Sequence, residues 1–174
     1  MLRSKKILWF TGLSGSGKTT LANLLKEKLE KKGIKTAIFD GDAVREKITR
    51  HLGFSKEDIW INNKTIAELV VENKDKFDVI IVPVISPYRE HREKVREIIG
   101  NSFNEIYIKA SLEECMKRDV KGLYKKALEG EIDNMIGFSE KNPYQPPRNP
   151  ELVIDTEKLS TEESLNKLLD FLNV

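Results

Sequence analysis

At 174 residues and 39% hydrophobic content the chain can bury one good core, so a single domain over residues 1–174 is expected. The 30 lysines and arginines against 28 acidic residues leave a net charge of +2, which excludes a strong electrostatic pull toward nucleic acid or membrane and makes any basic site a local one. The lone cysteine, Cys115, excludes an intrachain disulfide framework and a cysteine-based zinc cluster.

The N-terminal stretch offers only a short apolar run before a glycine-rich turn. It lacks the apolar segment and cleavage site of a signal peptide, no later stretch approaches a membrane span, and a cytoplasmic location is expected. Ile7 to Gly12 then reads as a strand. Thr20 to Gly33 reads as a helix, with Leu21, Leu24, Leu25 and Leu29 on one face and Gly33 where a C-terminal cap belongs. Thr36 to Asp42 is a second strand with its exit turn, followed by a polar helical region. The run from Val79 to Ser86 is a third strand with Pro83 inside it, where proline removes a ladder donor. Ser86-Pro87 reads as an N-cap with proline at the first helical position, and Arg92 and Arg96 on the helix that follows read as a solvated face. His51 and His91, without partners in the sequence pattern, read as surface residues.

Glu105 to Ala110 is a fourth strand. Ser111 starts a helix on which Cys115, spaced with Leu112 and Met116, reads as a buried structural thiol. From about Lys121 to Pro147 the chain is polar, rich in lysine and glycine and short of core candidates, which reads as a mobile flap. Leu152 to Ile154 forms the last strand, and Ser160 with Glu163 makes a capping box for the closing helix. The alternation of strands and helices gives an α/β fold: a parallel sheet of the P-loop NTPase type with helices on both faces and a mobile lid.

The chemistry is concentrated in Gly12-Leu13-Ser14-Gly15-Ser16-Gly17-Lys18-Thr19, which fits G-x-x-x-x-G-K-[ST] between a strand and an amphipathic helix. Glycines there let backbone amides wrap phosphates at a helix N-terminus, Lys18 reaches the β- and γ-phosphates, and Thr19 ligates Mg²⁺; the cofactors expected are ATP and Mg²⁺. The run from Val79 to Ile85 ends in Ser86 rather than in an acid. Acidity instead follows the second strand, at Asp40 and Asp42, and Asp42 is the candidate to orient a metal-bound water or take a proton from an attacking hydroxyl. This favours a kinase over hydrolysis. A GTPase switch lacks its base-selecting string, since Asn63-Lys64-Thr65-Ile66 has no aspartate and Asp119-Val120-Lys121-Gly122 follows a helix rather than a strand. A non-catalytic nucleotide-binding module is the remaining, more distant alternative.

Further strings carry a resemblance: the glycine-rich loop extended by Thr20, Asp40-Gly41-Asp42 with Arg45, Gly53-Phe54-Ser55, Ile85-Ser86-Pro87-Tyr88-Arg89, Arg118-Asp119 with Lys121-Gly122-Leu123-Tyr124-Lys125-Lys126-Ala127, and Pro143-Tyr144 ahead of Pro150-Glu151-Leu152. In order and spacing, over nearly the whole chain, these resemble the adenylylsulfate kinases. The resemblance implies transfer of the ATP γ-phosphoryl to the 3′-hydroxyl of adenosine 5′-phosphosulfate, in sulfate assimilation. It also implies Arg45, Asn62, Phe54, Ile85 and Lys121 as acceptor contacts, Arg118 along the ATP adenine, and Asp42 as base or Mg²⁺ organiser. Ser86 occupies the position that some members use for a phosphoserine intermediate, although the N-cap reading is preferred.

Three departures bear on the acceptor: Ile59 stands where the family has an arginine, Thr65 replaces another, and Met135 stands where an aromatic is usual. A sibling kinase acting on another small nucleotide, such as the cytidine diphosphoramidate kinases that resemble this family, therefore stays open. The partner expected is a small nucleotide acceptor, with neither nucleic acid nor membrane, and a homodimer is left open.

Overall fold

The computed structural model describes residues 4–174; Met1 to Arg3, the start of the stretch read above as lacking a signal peptide, lie outside the described residues. Five strands, β1 (Lys6–Thr11), β2 (Thr36–Ile38), β3 (Val79–Pro83), β4 (Phe103–Lys109) and β5 (Leu152–Asp155), form one sheet in the order β2-β3-β1-β4-β5. Every pairing is parallel. In register, Ile7 lies between Ile80 of β3 and Phe103 of β4.

A parallel sheet needs cover on both faces, which is why the central strands are continuous apolar runs rather than alternating ones. Leu8, Phe10, Val79 and Ile81 face α1 (Lys18–Lys31) and α7 (Thr161–Leu172). Ile7, Trp9, Ile80 and Val82 face α3 (Lys56–Asn73) and α4 (Arg89–Ile99). Leu25 and Leu29 of α1 are fully buried, each contributing about 1.5–3 kcal/mol. The remaining helices are α2 (Gly41–Lys47), α5 (Leu112–Arg118) and α6 (Leu123–Leu128).

Local signals account for most helix ends. Gly33, at φ 76°, follows the end of α1 and donates to the Glu30 carbonyl. Ser111 accepts from the Glu114 amide at the start of α5, and Ser160 with Glu163 forms the capping box of α7.

Pro83 is tolerated because of where it falls in the ladder. The amide of Val79 donates to Lys35 on the β2 side, and that of Val84 donates to Phe10 on the β1 side. By alternation the nitrogen of residue 83 points toward β2, whose ladder has already ended at the Ile38–Ile81 pair.

Four expectations are corrected. Ser86 does not cap a helix: α4 begins at Arg89 behind Tyr88, and Ser86 itself sits at φ 46°. His91 is buried against Trp60 and Tyr88, with ring centroids 5.4 and 4.9 Å away. Arg92 is buried too, paired with Glu105 at 2.8 Å, because positions 91, 92, 95 and 99 form the face of α4 that meets the sheet and α3. Arg96 keeps to the surface but grips Glu151 through two hydrogen bonds. Finally, the segment 121–147 carries a small core of its own, with Tyr124 and Met135 buried against Leu13, Ala110 and Cys115. Cys115 is fully buried, as its spacing implied, and burial pushes its thiol pKa up.

Candidate active site

Parallel sheets present their ligand sites beyond the C-terminal ends of the strands, where the chain leaves for opposite faces. Here β1 leads into the glycine-rich loop, β2 into Asp40-Gly41-Asp42, β3 into Ile85-Ser86-Pro87 and β5 into Thr156, and all four exits line one cleft of about 810 Å³.

The loop is held by close approaches. A Cβ on Gly12 would strike the Ile108 carbonyl oxygen and lie 2.8 Å from Ser16 Oγ. Gly17, at φ 103°, turns the chain into α1 in a conformation that L side chains avoid. Lys18 Nζ is buried on its own loop, donating to the carbonyls of Gly12 at 2.9 Å and Leu13 at 2.7 Å. Burial, with the nearby Lys121 charge adding to it, lowers its pKa to about 8. Thr19 and Thr20 are exposed on the cleft, Ser14 and Gly15 line it, and Gly12, Leu13 and Ser16 form the buried base of the loop.

The facing wall is built on α2. Asp40 caps that helix through the amides of Asp42 and Ala43, which leaves the Asp42 carboxylate projecting into the cleft. Asp42 pairs there with Lys121, the first lysine of the flap. Gly41 permits this placement, since a Cβ would lie 2.8 Å from Val84 Cγ2 at the end of β3. Arg45 donates to the carbonyls of Leu52 and Gly53 and stacks on Phe54, 4.4 Å from its centroid. Asn62 is buried and accepts from Thr49 Oγ1 at 2.6 Å, while Ile59 and Met135 contribute buried apolar surface to the cleft.

The third wall is Ile85-Ser86-Pro87. Ser86 is 1% exposed and takes a left-handed backbone, which for a non-glycine residue costs on the order of 1–3 kcal/mol. At the far end Arg118 is fixed by Glu114 (3.0 Å), the Gly15 carbonyl (3.2 Å) and the Thr156 carbonyl (3.0 Å), so its guanidinium lies across the loop.

The cleft thus brings the loop residues together with Asp42, Arg45, Phe54, Asn62, Ile85, Ser86, Arg118 and Lys121. Thr156 is a further cleft residue, and the signal that marks it in the sequence is its position just past a parallel strand. Its hydroxyl donates to the Ser16 carbonyl at 2.7 Å.

A family model, adenylylsulphate kinase, matches residues 4–155. The chain belongs to that family. Among curated relatives it is 49% identical to an adenylyl-sulfate kinase of Halothermothrix orenii over 95% of this chain and 88% of that protein. It is 47% identical to one of Bacteroides thetaiotaomicron, over 94% and 81%. Among solved structures it resembles the Mycobacterium tuberculosis APS kinase CysC in complex with AMPPNP and APS, at a TM-score of 0.87 and 38% identity over 98% of this chain and 99% of that one.

Membership of the adenylylsulphate kinase family agrees with two features of the cleft. No acid ends β3, and the acidic pair instead follows β2. The Asp119-to-Gly122 string serves structure: Asp119 accepts from the amides of Tyr124 and Lys125 and so caps α6. Among the described residues no helix is long and apolar enough to cross a membrane.

Proposed function

We propose that the chain transfers the γ-phosphoryl group of MgATP to the 3′-hydroxyl of adenosine 5′-phosphosulfate, giving 3′-phosphoadenylylsulfate. The observation that carries this reading is the meeting, in one cleft, of a phosphate loop with a buried lysine and a second wall bearing Asp42, Arg45 and Phe54. A cleft of about 810 Å³ lies in the upper part of the range for small-molecule sites and has room for two nucleotides meeting at their reacting groups. The named relatives support the acceptor.

The donor set fits a magnesium nucleotide. A loop whose Gly12 tolerates no Cβ, and whose lysine is buried among carbonyls, is a cradle of backbone amides and one fixed positive charge. Lys18 would exchange the Gly12 and Leu13 carbonyls for β- and γ-phosphate oxygens, and Thr19 with Asp42 would hold the Mg²⁺. When bound, MgATP supplies the phosphoryl group, and its metal neutralises charge that builds up during transfer.

The remaining work falls to the chain. Asp42 orients the acceptor hydroxyl and receives its proton at the carboxylate. Lys121, paired with Asp42, brings positive charge from the flap to the point where the phosphates would meet. Arg118, anchored at three points, presents a flat guanidinium face along the donor adenine. Arg45 and Phe54 form a stacked pair for the acceptor, and Asn62, Ile85 and Ser86 shape its pocket. The flap covers the site and excludes water.

Ile59, buried in the cleft wall where an arginine was expected, favours a second reading in which the acceptor is a cytidine-based nucleotide lacking the sulfate. Incubation with ATP and adenosine 5′-phosphosulfate, with the product resolved by phosphorus NMR, tests the first reading. A new 3′-phosphomonoester on the adenosine nucleotide is expected, and ADP release without it would exclude the assignment.

A further inference from the structure

Ser86 is held in a conformation that its own sequence opposes twice. It is a non-glycine residue at φ 46°, and it precedes Pro87, which drives the residue before it toward extended backbone. Its hydroxyl is buried without a partner among the described residues, so the side chain supplies no compensation. The surroundings must therefore hold the turn.

They do so through its carbonyls. Arg92 Nη1 donates to the Ser86 carbonyl at 2.6 Å, and Thr11 Oγ1 donates to the Ile85 carbonyl at 2.6 Å. The Gln145 amide donates to the Pro87 carbonyl at 2.8 Å. Arg92 spends its other two edges on the Gln145 carbonyl at 2.6 Å, through Nη2, and on Glu105 Oε2 at 2.8 Å, through Nε. Because Thr11 uses its single hydrogen on Ile85, the Tyr144 hydroxyl, 3.0 Å away, is the donor to Thr11. One buried guanidinium thus joins the cleft wall after β3, the end of the flap at Gln145 and the edge of β4.

We propose that Arg92 is a positioning residue, whose planar fork holds the strained Ser86-Pro87 turn and registers the acceptor wall against the end of the flap. The inference rests on the reading that Ile85 to Pro87 face the acceptor. A lysine at 92 keeps the positive charge opposite Glu105 but cannot reach three acceptors arranged around a fork. The Ser86 carbonyl then loses a charge-assisted bond and the turn relaxes toward what Pro87 prefers.

Arg92→Lys tests this by steady-state kinetics in both substrates. The KM for the acceptor is expected to rise about tenfold, the scale of a lost charge-assisted hydrogen bond, with the KM for ATP within about twofold of wild type. In a Ser86→Gly background the same substitution should cost less than about threefold, because glycine takes a positive φ without strain. Tyr144→Phe, which removes one hydroxyl and little volume, should raise the acceptor KM alone by about threefold and serves if Arg92→Lys does not fold. Equal shifts in both KM values, a lower Tm with unchanged kinetics, or an undiminished cost in the Ser86→Gly background would each overturn the proposal. Wild-type enzyme is run alongside on adenosine 5′-phosphosulfate. Failure of that control refutes the functional reading alone, and the Arg92 comparison is then made with the nucleotide that the wild type does phosphorylate.

Discussion

Replacing Lys18 with methionine should leave a more stable protein that has lost most of its turnover. Lys18 is 9% exposed, and burial holds its pKa at about 8 instead of 10.5. A lowering of that size puts the cost of the buried charge to the folded state below pH 8 on the order of 3 kcal/mol. Methionine removes the charge while keeping most of the volume, but takes the Lys18 donor from the carbonyls of Gly12 and Leu13, of which Leu13 keeps the Ser16 amide, and this offsets about 1–2 kcal/mol. A net gain of about 1–2 kcal/mol is expected by urea denaturation at pH 7. The sign of the pH dependence follows from the same numbers. Between pH 8 and 10.5 the unfolded chain holds a proton at Lys18 that the folded chain has released, so wild-type stability rises with pH in that window. The variant has no such group, so the stability gap should be constant below about pH 8, close above it and reverse before about pH 10.5. Turnover with ATP should fall by about 10²–10³ or more, because charge developing on the transferred group loses its fixed partner. A variant that is destabilised at pH 7, shows the same pH profile as wild type, or keeps near wild-type turnover would show that Lys18 is neither a costly buried charge nor the partner of the transferred group.

Asp42→Asn should lower kcat about a hundredfold or more with a smaller effect on ATP binding, as measured by titration with a non-hydrolysable analogue. Asp40→Asn should change kcat less and act through the cap of α2. His91, whose pKa burial lowers to about 4, is neutral when folded and binds a proton when unfolded between about pH 4 and 6.5. Wild-type stability should thus fall by up to about 3 kcal/mol as pH drops through that window, and His91→Phe should flatten the profile in acid denaturation curves. Gly41→Ala should cost about 1–3 kcal/mol in chemical denaturation by forcing α2 off Val84, and Val84→Ala should relieve part of it. Cleavage by trypsin between Lys121 and Lys141 should slow when the ATP analogue is saturating, as lysines of the flap gain phosphate partners.

What could be read from the sequence were features whose cause is local. The glycine-rich loop between a strand and a helix, the Gly33 stop, the Ser111 cap and the Ser160–Glu163 box each depend on residues a few positions apart. The features that escaped depend on distant partners. Arg92 looks solvated because it is charged, and only the positions of Glu105, Gln145 and Ser86 show why it is buried. The flap looks coreless because Tyr124, Ile132, Met135 and Phe138 follow no helical or strand period. Their partners Leu13, Ala110 and Cys115 come from the loop, β4's exit and α5. Leu13 packs so closely under Gly137 that a Cβ there would strike its Cδ2, a contact spanning most of the chain. Ser86 illustrates both sides: its place beside the site was legible from the resemblance, while the left-handed turn is imposed by Thr11, Arg92 and Gln145 against local preference.

The acceptor is identified by comparing kcat/KM for adenosine 5′-phosphosulfate and for cytidine diphosphoramidate, at saturating MgATP, in wild type and in Ile59→Arg. Wild type should phosphorylate adenosine 5′-phosphosulfate efficiently. A further gain of about one to two decades is expected in Ile59→Arg, where the new guanidinium can make a charge-assisted contact to the phosphosulfate. Negligible wild-type turnover of adenosine 5′-phosphosulfate beside efficient turnover of the cytidine nucleotide would rule out adenosine 5′-phosphosulfate as the acceptor.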